Sequence, residues 1–152
     1  MSYIMDLRKL VGHRTLMQCA GSVIIENEKG EILLGKRTDN HMWGYAGGSK
    51  EVGETVEDCA RRELEEEMGL IADEMTFLCV NSGPEAHYVY PNGDEVDNVE
   101  IVYVCRQYRG ELRRQADEIE DLCFFPIDAL PEISPPIRPV IRAYLEKRRI
   151  SG

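Results

Sequence analysis

One segment near the middle of the chain, GGSKEVGETVEDCARRELEEEMGL at residues 47–70, defines both ends and one face of a helix. Thr55, with Asp58 three residues later, approximates an N-terminal capping box. Gly69 stands where a helix C-terminus prefers a left-handed residue. Between these ends, apolar residues recur at a spacing of four, as Val56, Ala60, Leu64 and Met68. The segment therefore predicts an amphipathic helix over residues 56–68 that packs its apolar stripe on a core.

Three glutamates of this helix, Glu63, Glu66 and Glu67, stand at i, i+3 and i+4, so their carboxylates crowd one arc beside the apolar stripe. Like charges at this spacing destabilise a helix by roughly a few tenths of a kcal/mol per pair. One interpretation is that these glutamates form a solvated face and are present for their high helix propensity, while Arg61 and Arg62 offset their charge through i, i+4 ion pairs. The other is a set of oxygen ligands for a hard divalent cation.

The rest of the chain alternates strand and turn patterns around this helix. Strands are predicted at residues 18–25, 31–37, 75–82, 99–108 and 121–127. The first two are expected to pair as an antiparallel hairpin across the turn ENEKG, and Asn92-Gly93 marks a second tight turn. VIRAYLEKRRI, residues 140–150, predicts a closing amphipathic helix. This order indicates an α+β fold.

Length and charge restrict the class of protein. A chain of 152 residues fits a single domain, residues 1–152, and 43% hydrophobic residues lie far from a disordered composition. The formal net charge of -10 argues against a general affinity for nucleic-acid backbones, which require clustered cations. Anionic substrates would need bridging cations. Small-molecule partners are therefore expected, rather than nucleic acid.

Cysteine usage and the chain start bear on the compartment. The five cysteines form no C-x-x-C pair, and each has apolar neighbours in the sequence. This pattern indicates reduced core thiols rather than a zinc site or disulfides. MSYIMDLRKL, residues 1–10, lacks the apolar run of a signal peptide, and no stretch approaches eighteen apolar residues. A cytoplasmic protein without a membrane segment is the expectation.

The central segment resembles the Nudix box of the Nudix hydrolases. The family pattern is Gly, five residues, Glu, seven residues, Arg-Glu, an aliphatic residue, any residue, Glu-Glu, any residue, Gly and an aliphatic residue. Its nine fixed positions are filled here by Gly48, Glu54, Arg62, Glu63, Leu64, Glu66, Glu67, Gly69 and Leu70. A match of this length is far more specific than a lone glycine motif. Ala46 departs from the Pro of many members, which should loosen the loop without removing a ligand.

The resemblance implies a fold, a reaction and a cofactor. The fold would be an α/β/α sandwich with a mixed sheet between helices, and the reaction would be hydrolysis of a diphosphate linkage with Mg²⁺ or Mn²⁺. By position, Glu66 and Glu67 would be the principal metal ligands, and Glu63 a further ligand or the general base. The Gly48 carbonyl would be another ligand, while Glu54 and Arg62 would pair to hold the loop on the helix.

Members of the family often add an acid from a loop before a late strand. QADEIEDLCFF, residues 115–125, lies in that place. Glu118 is the predicted catalytic residue of this loop and Glu120 the alternative, with Glu63 also open as general base. The plainer interpretation is that these acids keep a surface turn soluble.

Three further residues are candidates for substrate binding. Arg37, at a strand end, is expected to contact a phosphate or to be a surface charge. Trp43 would stack on a base or pack against the sheet. Tyr88, which alternates with Tyr90 along a strand pattern, would line a nucleoside pocket or face the core.

The resemblance favours a nucleoside diphosphate joined to another group as the substrate, with ADP-ribose first because the chain is similar to small bacterial ADP-ribose pyrophosphatase-like members. A nucleoside triphosphate pyrophosphatase that removes oxidised dGTP is the alternative. Outside this class stands a non-catalytic nucleotide-sensing domain, although such domains usually lose box carboxylates that this chain keeps. The resemblance also leaves a homodimer open.

Overall fold

The computed structural model describes residues 2–151. Three α-helices lie within that range: α1 (Tyr3–Val11), α2 (Val56–Met68) and α3 (Arg138–Ser151). The strands are β1 (Leu16–Ile25), β2 (Ile32–Arg37), β3 (Trp43–Gly44), β4 (Ala46–Ser49), β5 (Leu70–Asn81), β6 (His87–Val89), β7 (Glu95–Gly110) and β8 (Ile119–Phe125). None of these helices is long and apolar enough to cross a membrane.

Two sheets form the centre of the fold. The larger has the order β4-β1-β7-β5, with β6 paired to the start of β7, and the smaller has the order β3-β2-β8. The β1–β7 pair is parallel, whereas the other pairs are antiparallel. Buried side chains of α2, such as Leu64 and Met68, pack with one face of the larger sheet. Those of α3, such as Val140 and Tyr144, pack with the other face. The predicted mixed sheet between helices is therefore confirmed.

The ends of α2 lie where the sequence predicts them. The Thr55 hydroxyl accepts a hydrogen bond from the Asp58 N–H at 3.1 Å. At the other end Gly69 takes a left-handed conformation with φ of 79° and donates its N–H to the Glu65 carbonyl at 3.0 Å. These two residues satisfy backbone groups that the helix itself leaves unpaired.

The predicted β1–β2 hairpin is wrong. Apart from an isolated bridge between Glu26 and Ile32, the two strands belong to different sheets. From Ala20 to Ile25 every residue of β1 is buried, so both faces of this strand are covered. A strand buried on both faces is stabilised best at the centre of a sheet, and β1 lies there between β4 and β7.

Three other features differ from the sequence expectations. The N-terminal helix α1 was not predicted; its Arg8 guanidinium donates to the Glu95 carbonyl at 2.5 Å and ties the helix to β7. The loop before α2 contains the short strands β3 and β4. All five cysteines are free, yet Cys19 and Cys123 are exposed, so the core placement holds only for the others.

Gly21 on β1 sets how closely α2 approaches the sheet. A Cβ at this position would lie 2.5 Å from the carbonyl oxygen of Val56 and 3.1 Å from the backbone nitrogen of Ala60. Because backbone atoms cannot rotate aside as a side chain can, only glycine allows the first turns of α2 to lie against β1. The same contact sets the position of the glutamates farther along the helix.

We expect Gly21→Ala to lower the free energy of unfolding by about 1–3 kcal/mol, since the added methyl group forces α2 away from the sheet. Urea denaturation followed by circular dichroism measures this change. Cys19→Ala, an exposed site two residues earlier on β1, is the matched control and should change stability by less than about 0.5 kcal/mol. Equal stability of Gly21→Ala and the parent protein would contradict the close approach.

Candidate active site

A cavity of about 830 Å³ runs along the larger sheet from α2 towards β6 and β7. Its lining at one end includes Gly47, Gly48, Arg62, Glu63, Glu66 and Glu67. Further along, it includes Arg37, Asp39, Tyr88, Tyr90, Asn81 and Glu100. The tertiary fold thus joins the acidic helix to residues that lie far apart in sequence.

Glu67 is the most deeply buried acid of this helix, with 9% of its surface exposed. Its carboxylate accepts a hydrogen bond from the Gly47 N–H at 3.1 Å. Burial raises its pKa well above the ordinary value, and the negative charges of Glu63 and Glu118 act in the same direction. A carboxylate in this setting would be stabilised by a nearby cation.

Glu63 lies directly against β4. A Cβ added to Gly48 would stand 2.5 Å from the carboxyl carbon of Glu63, so this carboxylate occupies space that a larger residue at position 48 would take. Burial raises the pKa of Glu63, while Arg62 lowers it and the charges of Glu66 and Glu118 raise it further. The Gly48 carbonyl, a predicted ligand, accepts a weak hydrogen bond from the Cys59 thiol at 3.3 Å.

Arg62 connects the acids of the box. It donates to both carboxylate oxygens of Glu54, at 2.7 and 3.0 Å, so the expected pair between loop and helix is present. The same guanidinium contacts Glu63 at 2.9 Å and Glu66 at 3.3 Å. The hydrogen bond from Arg62 is the main reason that the pKa of Glu54 is lowered. Arg62 therefore orients several carboxylates at once.

The carboxylates of Glu63, Glu66 and Glu67 share one cavity without converging on one point. Within residues 2–151, no group of three or more His, Cys, Asp or Glu side chains is gathered as a metal-binding cluster. Glu63 and Glu66 point an oxygen at Arg62, and Glu67 accepts from the Gly47 N–H. The donor set nevertheless fits Mg²⁺ or Mn²⁺, because these ions prefer carboxylate oxygens, and burial together with neighbouring negative charges raises the pKa of Glu63 and Glu67.

The two acids of the late loop occupy different surroundings. Glu118 lines the cavity, and its charge raises the pKa of both Glu63 and Glu67. Glu120 is not among the lining residues; its carboxylate pairs with the His41 ring at 2.5 Å. The geometry thus favours Glu118 over Glu120 as the acid of this loop.

Arg37 and Tyr88 line the cavity, as the substrate-binding expectation requires. Arg37 donates to both oxygens of Asp39, at 2.8 and 2.6 Å, and its guanidinium lies 5.8 Å from the centre of the Tyr90 ring. Tyr88 and Tyr90 meet edge to face, with 4.9 Å between ring centres. Asp39, which also lines the cavity, carries no signal in the sequence that marks it as a site residue.

Trp43 has a different position. Its ring meets Phe125 edge to face at 4.9 Å and packs against the core beneath α3. Trp43 is also absent from the residues that line the cavity. The geometry therefore supports packing, the alternative to base stacking, and Trp43 is not carried into the proposed substrate site.

Sequence reasoning missed a polar cluster on β1, β5 and β7 that also lines the cavity: Gln18, Ser22, Asn81, Asn98 and Glu100. One signal was available. On β7, Glu100 occupies the same alternating face as Val102 and Val104, which are buried in the core. A glutamate within an apolar alternation is unusual enough to mark a buried polar site.

Comparisons with known proteins agree with this geometry. The family model of the NUDIX domain matches residues 17–144. An ADP-ribose pyrophosphatase of Methanocaldococcus jannaschii is 33% identical over 147 residues, covering 93% of this chain and 82% of that protein. An NAD-capped RNA hydrolase NudC of Pseudomonas aeruginosa is 28% identical over 90% of this chain. This chain spans about half, 51%, of the length of that protein.

Solved structures show the same fold. A MutT NUDIX hydrolase from Burkholderia pseudomallei matches with a TM-score of 0.72 and 31% identity, over 84% of this chain and 98% of that one. The E. coli ORF135 protein matches with a TM-score of 0.71 and 23% identity, over 90% of this chain and 94% of that one. Since the family model covers most of the chain and Glu63, Glu66 and Glu67 of the box line one cavity, the chain belongs to the Nudix hydrolase family.

Proposed function

We propose that this protein hydrolyses the diphosphate linkage of a nucleoside diphosphate joined to a second group, with ADP-ribose as the first candidate substrate. The observation that carries the proposal is the position of Glu63, Glu66, Glu67 and Glu118 on the wall of a single cavity of about 830 Å³. A cavity of this size suits a small ligand rather than a macromolecule.

A divalent cation, Mg²⁺ or Mn²⁺, would be held by Glu63, Glu66 and Glu67, with the Gly48 carbonyl as a further candidate. When bound, such a cation polarises the diphosphate and makes a water more acidic. The chain supplies the charge that attracts it: burial and mutual repulsion raise the pKa of Glu63 and Glu67, so a cation there offsets an unfavourable concentration of negative charge. Arg62 would hold these carboxylates in place.

Glu118 is the proposed general base. It shares the cavity with the box acids, and its negative charge acts on Glu63 and Glu67. In this role it accepts a proton from the water whose oxygen bonds to phosphorus, while the phosphate anhydride P–O bond breaks and two phosphate monoesters are released. Glu63 remains the alternative base, since it too is held within the cavity.

The substrate's nucleoside is proposed to bind beside Tyr88, Tyr90 and Arg37. The two rings and the guanidinium form a surface on which a base can stack. ADP-ribose comes first because the archaeal relative that this chain matches at 33% identity carries the name of that activity. The alternative that the sequence resemblance leaves open is a nucleoside triphosphate pyrophosphatase acting on oxidised dGTP.

Two other proposals rank lower. An RNA substrate, suggested by the name of the NudC relative, fits poorly with a net charge of -10, because RNA binding requires clustered cations. A sensing domain without catalysis fits poorly with a box that keeps its acids. A homodimer and a cytoplasmic location remain proposals from the sequence.

A substrate panel tests the proposed function. ADP-ribose, NADH, sugar nucleotides and 8-oxo-dGTP are incubated with Mg²⁺ or Mn²⁺, and mass spectrometry identifies the products. We expect AMP and ribose 5-phosphate from ADP-ribose; a nucleoside monophosphate and pyrophosphate from 8-oxo-dGTP alone would favour the alternative. Absence of turnover throughout the panel would reject hydrolysis.

Glu67→Gln should lower metal-dependent turnover by at least about 10²-fold, because the amide keeps the shape of the side chain but loses a charged ligand. Its thermal unfolding should remain cooperative, since the substitution also removes a buried charge. Steady-state kinetics with Mg²⁺ measure the effect. Glu65→Gln is the matched control: Glu65 is an exposed neighbour on α2, and its variant should stay within about twofold of the parent rate. Full activity in Glu67→Gln would defeat the ligand assignment.

Glu118→Gln should reduce kcat by about 10²-fold or more, the usual contribution of a positioned general base. Glu120→Gln is the control two residues away, and because Glu120 pairs with His41 outside the cavity lining, its rate should remain within about threefold. The reverse pattern, a small loss for Glu118→Gln and a large one for Glu120→Gln, would move the base to Glu120. Small losses in both would move it to Glu63.

A further inference from the structure

Glu100 is a buried acid that the proposed reaction does not use. It lies in the middle of β7, with 8% of its surface exposed, and lines the cavity. Burial raises its pKa, while hydrogen bonds from Ser22, Asn81 and Tyr45 act in the opposite direction. Because glutamates are rarely buried without a specific role, an acid that is buried and accepts several hydrogen bonds is not an incidental surface charge.

The hydrogen bonds of Glu100 leave part of its accepting capacity free. The Ser22 hydroxyl donates to one carboxylate oxygen at 2.6 Å, and the Tyr45 hydroxyl lies 3.1 Å from the same atom and 3.2 Å from the other oxygen. The Asn81 amide donates to the other oxygen at 3.2 Å. Because a carboxylate accepts about four hydrogen bonds, these three donors leave roughly one position open.

Asn81 presents an acceptor beside it. Both hydrogens of its amide nitrogen are used, one on Glu100 and one on the Pro136 carbonyl at 2.8 Å. Both partners are acceptors, so the network assigns the orientation of the amide. In the described part of the chain, every fully buried side-chain nitrogen or oxygen has a partner. The Asn81 side-chain oxygen receives no hydrogen bond from residues 2–151, so it is not fully buried, and Asn81 lines the cavity.

The position of this pair suits a second part of the substrate. Ser22 pairs with Gly47 across β1 and β4, and Gly47 donates to Glu67. Glu100 pairs with Ala20 on β1, so it lies two strands from β4. At roughly 4.8 Å between strands, the backbones are about 10 Å apart. The side chains at the two sites, such as Glu67 and Glu100, shorten this distance, so a ribose phosphate is long enough to contact both.

We propose that Glu100 and Asn81 form a subsite of hydrogen-bond acceptors that binds a substrate group with two adjacent donors, either the cis-diol of a ribose or the amino–imino edge of a guanine. The proposal deepens the proposed function, on which it rests, by naming what the far end of the cavity recognises. The Watson–Crick edge of adenine offers one donor beside one acceptor, so this edge is disfavoured here. A ligand without the second donor leaves a desolvated acceptor unpaired.

Binding of small fragments tests the subsite independently of turnover. Isothermal titration calorimetry compares ribose 5-phosphate with 2-deoxyribose 5-phosphate, ADP with 2′-deoxy-ADP, and GDP with IDP, which lacks the guanine amino group. We expect one of these pairs to differ in Kd by about tenfold or more. A difference in either sugar pair identifies the diol, and a difference in the GDP–IDP pair identifies the guanine. Differences below about twofold in all three pairs would overturn the proposal.

Glu100→Gln connects the effect to this residue. The amide replaces one acceptor with a donor at nearly constant shape, so the discriminating pair should lose its difference in Kd, and the KM of a turned-over substrate should rise about tenfold with kcat within about threefold. Asp97→Asn is the matched control, since Asp97 lies on β7 but is not among the residues that line the cavity. Its Kd values should match those of the parent protein.

The outcomes separate the two proposals. A protein that discriminates between the fragments but hydrolyses nothing in the substrate panel keeps the subsite and loses the proposed function. A protein that hydrolyses the panel but does not discriminate loses the subsite alone. The fragment pairs are measured on the parent protein, so a failure of Glu100→Gln to fold does not remove the test, and retained discrimination in a folded Glu100→Gln rejects the assignment.

Discussion

The concentration of negative charge at the C-terminal half of α2 is the constraint on which the rest of this structure depends. Glu63 and Glu67 are held in a cavity where burial and mutual repulsion raise their pKa values. Arg62 offsets part of this charge through contacts with Glu54, Glu63 and Glu66. The fold thus maintains an electrostatic arrangement that it does not neutralise fully, which is the expected state of a site that binds a cation.

Close backbone approach makes this arrangement possible. Gly21 allows α2 to lie on β1, Gly47 packs against the Ser22 side chain, and Gly48 leaves space for the Glu63 carboxylate. These three glycines serve contact rather than unusual backbone conformation, since none of them has a positive φ. A helix placed one methyl group farther from the sheet would lose the contact between Glu67 and the Gly47 N–H. The packing of α2 on the sheet therefore sets the positions of the carboxylates at this end of the cavity.

The parallel β1–β7 pair extends the cavity beyond the acidic helix. It brings Ser22 beside Glu100, which lies 78 positions later, and β5 adds Asn81 to the same cluster. The cavity consequently has two ends of different character. One carries charge that suits a cation and a diphosphate, and the other carries oriented acceptors that suit a neutral group. The proposed substrate, in which a diphosphate joins a nucleoside to a second polar group, is consistent with that division.

The sequence by itself determined the local features: the helix over residues 56–68 with its caps, the arc of three glutamates, the pairing of Arg62 with Glu54 and the family. The helix and its arc of glutamates depend on residues within a few turns of one another, so spacing reveals them. The pairing of Arg62 with Glu54 and the family followed from the resemblance of residues 48–70 to the Nudix box. Only the tertiary structure decided that β1 pairs with β7 rather than with β2, that Glu118 rather than Glu120 lines the cavity, that Trp43 packs in the core and that Glu100 lines the same cavity. These outcomes depend on which strands, distant in sequence, pair and bury their apolar faces. Burial over the whole chain selects that pairing, so no local pattern reveals it.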